Sequence, residues 1–235
     1  REQVLGPEHP DTATSLNSLA ILLNVQGDFA RARPLCERAL AIRERAMPAS
    51  DPVLAAARIA NARLIAKTAR KPAHAEAEQA LRKVLADAAP GSTARLHAAL
   101  DLNGMLRARG DLAGARALEP GLLDDLARPA GIHTYECTTV AEAWAAAAHF
   151  EQRDADAAAI IAAAVRGVTP PNPQCPDYDG CDNRNFQIEL LTRQAAYDPS
   201  AAPALRVQAA QLTYEVAQRR GLRSNEVRRL LATMP

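Results

Sequence analysis

The sequence predicts an all-α protein assembled from consecutive helical hairpins. Three observations carry that expectation. Alanine supplies much of a 48% apolar fraction, while aromatic residues make up 3%. Ala has the highest helix propensity and lets helix axes approach closely. Val, Ile and Thr nowhere form the alternating runs that a half-buried strand needs. Finally, a pattern of helix formers broken by a short turn and then resumed recurs along the chain.

The first copy is the clearest. In "NVQGDFARARPLCERALAI", Gly27-Asp28 interrupts two apolar stripes. Leu16, Leu19, Ala20 and Leu23 are spaced as one face of the helix before the turn. Phe29, Ala32, Cys36, Ala39 and Leu40 form the face after it. Each stripe is too narrow to bury itself, and two helices packed antiparallel across the turn bury each other. The second copy, "ARKPAHAEAEQALRKVL", turns at Pro72 and continues with Ala77, Leu81 and Val84-Leu85. The third, "RARGDLAGARALEPGLL", turns at Gly110-Asp111 and carries Leu112, Ala115 and Leu122-Leu123. The fourth, "EQRDADAAAIIAAAV", turns at Arg153-Asp154 and carries Ala155, Ala158 and Val165. Turns at 27, 72, 110 and 153 are 45, 38 and 43 residues apart.

Local signals mark the ends. Asp11 after Pro10 is the expected N-cap of the first helix, and Asp51-Pro52 pairs a cap with Pro at the first helical position. Ser92 or Thr93 caps the fifth helix. Pro34 lies near a helix start, where a missing N–H costs little; Pro120 falls mid-helix and predicts a kink or break. From Gly167 to Asn185 the prolines and glycines of "GVTPPNPQCPDYDGCDNRN" exclude a helix. Helices resume over Phe186–Tyr197 and over about Ala201–Arg220, with Ser200 as cap and Gly221 as stop. Ser224 caps a last short helix to about Thr233. The expected organisation is four helix pairs over 1–168, a Pro/Cys-rich loop over 169–185, and a degenerate fifth pair with a capping helix over 186–235.

"VLGPEHPDTATSLNSLAILLNVQGDFARARPLCERALAIRERAM" resembles a tetratricopeptide repeat of the kinesin-light-chain type found in bacterial arrays. The motif covers residues 1–48; residues 49–168 match at the small-residue and turn positions. The resemblance implies an α-solenoid, a right-handed superhelix of antiparallel pairs whose first helices line a concave groove. It implies a scaffold that binds a protein or peptide, not an enzyme. It also implies the C-terminal part of a larger bacterial signalling or regulatory protein, with "REQVLGPEHPDTA" as a linker from preceding repeats.

Groove candidates are residues of the first helices that point away from the partner stripe. They are Asn17, Ile21 and Asn24; Arg63 and Arg70; His97, Asp101 and Arg107; and, in the fourth pair, Trp144 and Phe150. Asn and Arg there suit an extended peptide backbone or a carboxylate. The plain alternative for each polar one is a solvated side chain, and for Trp144 it is core packing, the better reading.

A formal net charge of +1 gives no large field to attract nucleic acid, and no apolar stretch is long enough to span a membrane. Residue 1 is Arg with no signal-like segment after it, which suggests a fragment or processed chain. Among the four cysteines there is no C-x-x-C pair. Cys36 and Cys137 read as core thiols. Cys175 and Cys181 are a candidate disulfide in an extracytoplasmic or periplasmic setting and free thiols in a cytoplasmic one. Asp177, Asp179 and Asp182 lack the spacing of a calcium loop, and His133 with Cys137 lacks two further metal ligands. Catalytic and nucleotide fingerprints are absent, so no cofactor, metal or catalytic residue is expected. Glu37, Glu44, Asp124 and Asp125 read as solvated outer-face residues, and Arg219, Arg220, Arg223, Arg228 and Arg229 as a basic tail. Two rival readings are self-association and a ligand or catalytic site built around the 169–185 loop.

Overall fold

The computed structural model describes residues 2–68, 71–128, 134–168 and 184–219, and among these every regular element is a helix. In order they are α1 (Glu2–Leu5), α2 (Pro10–Val25), α3 (Phe29–Ala46), α4 (Pro52–Thr68), α5 (Lys71–Asp87) and α6 (Thr93–Ala108). Then follow α7 (Leu112–Arg116), α8 (Glu119–Leu126), α9 (Thr134–Phe150), α10 (Asp154–Gly167), α11 (Arg184–Tyr197) and α12 (Ala202–Arg219). The chain divides into two compact units, 1–119 and 120–235. In the first, each helix from α2 to α7 packs on the next, and α4 also meets α6. In the second, α9 to α12 pack in sequence and α9 also meets α11. Contacts that reach one or two helices along the chain are those of a solenoid stack, in which each pair leans on its neighbours.

The repeat is more even than the turn residues suggest. First helices begin at Pro10, Pro52 and Thr93, 42 and 41 residues apart. Pro72 is not the turn itself; it lies in the first turn of α5, where its missing N–H is no loss.

Three turns share one geometry. Gly27, Gly110 and Gln152 have φ of +78°, +86° and +60°. The next N–H of each turn reaches back five residues: Asp28 to Leu23 at 2.9 Å, Asp111 to Leu106 at 2.9 Å, Arg153 to Ala148 at 3.0 Å. This is the left-handed helix stop followed at once by a new helix, and it answers why the chain breaks and resumes within three residues. Asp28 Oδ1 accepts from Arg31 N at 3.2 Å and Asp111 Oδ1 from Gly114 N at 2.8 Å, capping α3 and α7. Arg153 stands at the same place and caps nothing with its side chain. The fourth turn therefore lies one residue earlier than Arg153-Asp154, with a non-glycine in the left-handed position.

Small residues set the packing. Ala13, Ala20, Ala32 and Ala39 are essentially inaccessible between α2 and α3. In α4 to α7, Ala55, Ile59, Ala62, Ile65, Ala77, Leu81, Val84, Leu102, Leu106 and Ala115 make one cluster. Leu19 is a correction: it is exposed, and the partner-facing stripe runs through Ala13, Leu16, Ala20 and Leu23. Cys36 and Cys137 are buried free thiols as expected, and desolvation pushes the Cys36 thiol up. In the second unit, Gly167 lies so near α8 that a Cβ would fall 1.8 Å from the Leu126 carbonyl oxygen.

Several end signals also need correction. His9, not Asp11, caps α2: Pro10 takes the first helical position, and His9 Nδ1 accepts from Asp11 N at 3.1 Å. Pro34 stands inside α3, on its exposed side. Ser92 caps α6, and Asp51 accepts from Val53 N at 2.7 Å. The break at Pro120 is present: α7 stops at Arg116, four residues before the proline, whose ring would meet the Arg116 carbonyl in a continuous helix. Before α12, Asp198 Oδ1 gathers Ser200 N at 3.1 Å and Ala201 N at 3.2 Å, and Ser200 donates its hydroxyl to the same oxygen. Asp125 is buried rather than solvated. The expected stop at Gly221 and the helix from Ser224 lie outside the described residues.

Two predictions follow from the turns. Replacing Gln152 by Gly relieves a left-handed side-chain residue and should raise unfolding stability by about 0.5–1 kcal/mol in urea titrations, whereas Gly27→Gln should lower it by a similar amount. The Arg31 contacts hold the Asp28 carboxyl below its ordinary value; the Gly114 N–H and then Arg109 do so for Asp111. Folded values below unfolded ones give stability that is present above the unfolded carboxylate range and lost as pH falls through the folded values. Melting temperature should therefore fall below about pH 4, and Asp28→Asn with Asp111→Asn, which keep a capping oxygen, should flatten that fall.

Candidate functional site

With the register fixed, positions can be compared from one first helix to the next. Ile21 in α2, Arg63 in α4 and Gly104 in α6 occupy the same exposed position, and Ser18, Ala60 and Asp101 lie one turn before it. This is the face turned away from the second helices. Four of the groove candidates fall on or beside it: Ile21, Arg63, His97 and Asp101.

The structure joins two of them. Arg63 Nε donates to Asp101 Oδ2 at 2.6 Å, an ion pair from α4 to α6 across the gap between consecutive first helices. A cleft of about 320 Å³ opens beside it, lined by Ala62, Arg63, Ala66 and Lys67 of α4, Asp101 and Met105 of α6, and Leu81 of α5. Its floor is apolar and its rim carries two cations and one carboxylate. Lys67 is exposed at the rim.

The other candidates are placed differently. Asn17 and Asn24 are half-buried, and the Asn24 side-chain oxygen is sequestered without a hydrogen-bond donor. Arg107 donates from Nε to the buried Asn103 Oδ1 at 2.8 Å, along its own helix. Trp144 is core, 1% exposed, and Phe150 is 90% exposed at the end of α9. Arg70, Cys175 and Cys181 lie outside the described residues, as do His133, the acidic turn at 177–182 and the arginines from 220 onward. Among the described residues no cluster of His, Cys, Asp and Glu could hold a metal ion, and no helix is long and apolar enough to cross a membrane.

The second unit repeats the arrangement with its own chemistry. A cleft of about 350 Å³ is lined by Thr139, Glu142, Ala143 and Ala146 of α9, Ile161 of α10, and Arg193 and Tyr197 of α11. Again the walls are two first helices and the floor is the second helix between them. Arg193 Nε and Glu142 Oε1 face each other at 3.4 Å across the gap. The charges are reversed in order relative to Arg63 and Asp101. At the end of this cleft the His149 ring tilts against Tyr197, centroids 5.3 Å apart, and its Nδ1 meets Asp154 Oδ1 at 2.5 Å.

Sequence reasoning missed three polar groups. Arg58 is buried in α4; its Nε lies 3.1 Å from Glu44 Oε1 and its Nη1 2.9 Å from Asp87 Oδ2, so it ties the ends of α3 and α5 together. Glu78 is a buried carboxylate held by Arg82 and Arg109. The Glu142–Arg193 pair shares the second cleft. None announces itself in sequence, because a charge on a helix reads as surface until both neighbouring pairs are known. Glu44, expected to be merely solvated, is half of such a tie.

Residues 12–52 match the model of the tetratricopeptide repeat. No curated protein matches the chain. Among solved structures, the chain is similar to the "Assembly Chaperone of RpL4 (Acl4) (Residues 1-338)" at 15% identity and a TM-score of 0.32, over 98% of this chain and 84% of that one.

The Arg63–Asp101 pair lies across two helices with Arg63 half exposed, so its coupling should be modest. A double-mutant cycle with Arg63→Ala and Asp101→Ala should give about 0.5 kcal/mol at low salt, and less at high salt. The α2–α3 hairpin, most of which lies within the match at residues 12–52, is thus similar to a tetratricopeptide repeat, and the first helices that follow it in the first unit begin 42 and 41 residues further on.

Proposed function

We propose that the chain is a scaffold that binds an extended segment of a protein along the exposed face of its first helices. The observation that carries this reading is the cleft between α4 and α6. It combines an apolar floor (Leu81, Ala62, Met105) with Arg63 and Lys67 at the rim. Such a site suits a peptide that offers one apolar side chain and one carboxylate: the floor takes the first, and the rim cations meet the second. Helices packed through alanine hold these groups in place before the ligand arrives, so ordering cost falls mostly on the ligand.

The second cleft, with Glu142, Arg193 and Tyr197, differs in charge, so it selects a different feature of a ligand. The resemblance of residues 1–48 to kinesin-light-chain-type bacterial repeats supports a further step, a docking module within a larger regulatory or signalling protein. A scaffold role needs no catalytic group, and neither cleft pairs a nucleophile with a base. The rival site around 169–185 lies outside the described residues.

The test is selection of displayed random peptides on the chain. Enriched sequences should combine an acidic and a large apolar residue. Their binding should weaken at least tenfold in Arg63→Glu with Lys67→Glu, and weaken with added salt. Peptides that bind this variant as well as the unchanged chain would overturn the reading.

A further inference from the structure

One stripe of each second helix closes the floor between consecutive first helices. In α5 it is Ala77, Leu81, Val84 and Ala88, all buried, and Leu81 lines the floor of the Arg63 cleft. In α3 the same spacing gives Ala32, Cys36, Ala39 and Arg43, again all buried. Arg43 is 6% exposed, so a guanidinium stands where α5 has Ala88. Its flank of α3 is not the one beside α1, where Arg38 and Arg45 meet Glu2 and Glu8. Ala32 and Cys36 pack with Ala20, Leu23 and Leu64, and Ala39 packs with Ala13, so the stripe faces α2 and α4.

The other buried charges of this unit are paired: Arg58 with Glu44 and Asp87, and Glu78 with Arg82 and Arg109. Arg43 has no carboxylate partner among the described residues, and no residue of the unit outside them is acidic. Neither flanking helix can supply one, since α2 has no acidic residue after Asp11 and α4 has none. Burial pulls the guanidinium below its ordinary value, opposed by the Cys36 thiol two turns back along α3. That contact places the side chain leaning toward the level of Cys36, as helical side chains do. Its place in the last turn of α3 offers partial negative charge from the helix end, less than a full counter-charge. The sealed side-chain atoms without a partner belong, among the described residues, to Asn24, Asn61, Glu142 and Trp144 and not to Arg43, so its nitrogens keep a narrow opening.

We propose that Arg43 is an anion receptor in the floor between α2 and α4, and that it takes one carboxylate carried on a slim side chain of the bound segment. The inference rests on the reading of the first helices as a docking face and names a second anchor on it, apart from the Arg63 cleft. One guanidinium matches one carboxylate in charge and offers parallel N–H donors to its two oxygens. Folding has already taken the cation out of water, so the ligand bears the desolvation of its own carboxylate alone. The neighbouring Ala13 and Ala39 leave room for a narrow group. Asn17 adds a donor. It is half-buried one turn on from Ala13, at the register position that Ile59 holds in α4. Ile59 lies in the cluster shared by α4 and α6, so Asn17 faces the corresponding gap between α2 and α4.

Magnetic resonance of isotope-labelled arginine in the full chain reads the site with acetate as the probe. Sodium acetate, against sodium chloride at matched ionic strength, should move the Arg43 Nε–H resonance to saturation, while the exposed Arg31 drifts slightly without saturating. Arg43→Met assigns the resonance and should melt no lower than the unchanged chain, because an apolar chain then fills the buried space. An Arg43 resonance that responds to acetate no more than Arg31 would overturn the proposal. So would a marked fall in the melting temperature of Arg43→Met, which would make Arg43 a structural charge held by the helix end. Peptides selected on the chain with Arg63→Glu and Lys67→Glu should still carry an acidic residue, and adding Arg43→Met should weaken their binding by about tenfold or more. Selected peptides that lack an acidic residue, or that bind equally well after Arg43→Met, would overturn it as well. A selection that yields no peptide on any form of the chain would overturn the docking reading, while the acetate response still decides whether Arg43 is an anion receptor.

Discussion

A helix pair with two narrow apolar faces cannot satisfy both by itself. Each first helix here buries one face against its own second helix and needs the adjacent pair for the other. That constraint organises both units. It explains why contacts run one or two helices along the chain, and why alanine dominates the interfaces. Alanines at Ala13, Ala20, Ala32 and Ala39 let axes approach, and the larger Leu23, Ile42 and Leu64 fill what remains. Arg58, which crosses between pairs, is matched at both ends by Glu44 and Asp87.

The turn makes the constraint geometrically possible. A left-handed residue followed at once by an N-cap reverses the chain in the shortest distance, so consecutive helices meet along their length. Gly27-Asp28 and Gly110-Asp111 use the residues best suited to it, while Gln152-Arg153 keeps the backbone and loses both advantages. The second unit also packs closely, with Trp144 buried and Gly167 against the Leu126 carbonyl. The exposed face of the first helices is what remains after both burial demands are met, and the clefts at Arg63 and Arg193 form there because two such faces meet over an alanine-lined gap.

Much of this was legible in the sequence. Helix pairs, the Gly-Asp turns, the break at Pro120 and the core thiols all follow from local chemistry, since caps, glycines and prolines act over a few residues. The face of each residue was less legible. Leu16, Leu19 and Leu22 differ by a rotation of about one hundred degrees per residue, and with no charged residue between them to mark the boundary the sequence cannot say which leucine faces inward. The same ambiguity placed Asp11 at a cap that Pro10 shifts to His9. Arg63 and Asp101 were each expected to point away from the partner stripe, but their pairing depends on the spacing between pairs, which the displaced turn at Pro72 obscured. Arg58 and Glu78 were hidden for a related reason: their partners are far along the chain and meet them only once the stack is built.

The dependence of one pair on the next is tested most directly through Leu64, which belongs to α4 but packs among residues of α2 and α3. Amide hydrogen exchange should be followed in the Leu64→Ala chain. Loss of the side chain should speed exchange across residues 10–46 as well as within α4, because the first pair loses cover that it cannot replace. Faster exchange confined to α4, with α2 and α3 unchanged, would show that the first pair is stable on its own and would contradict the account.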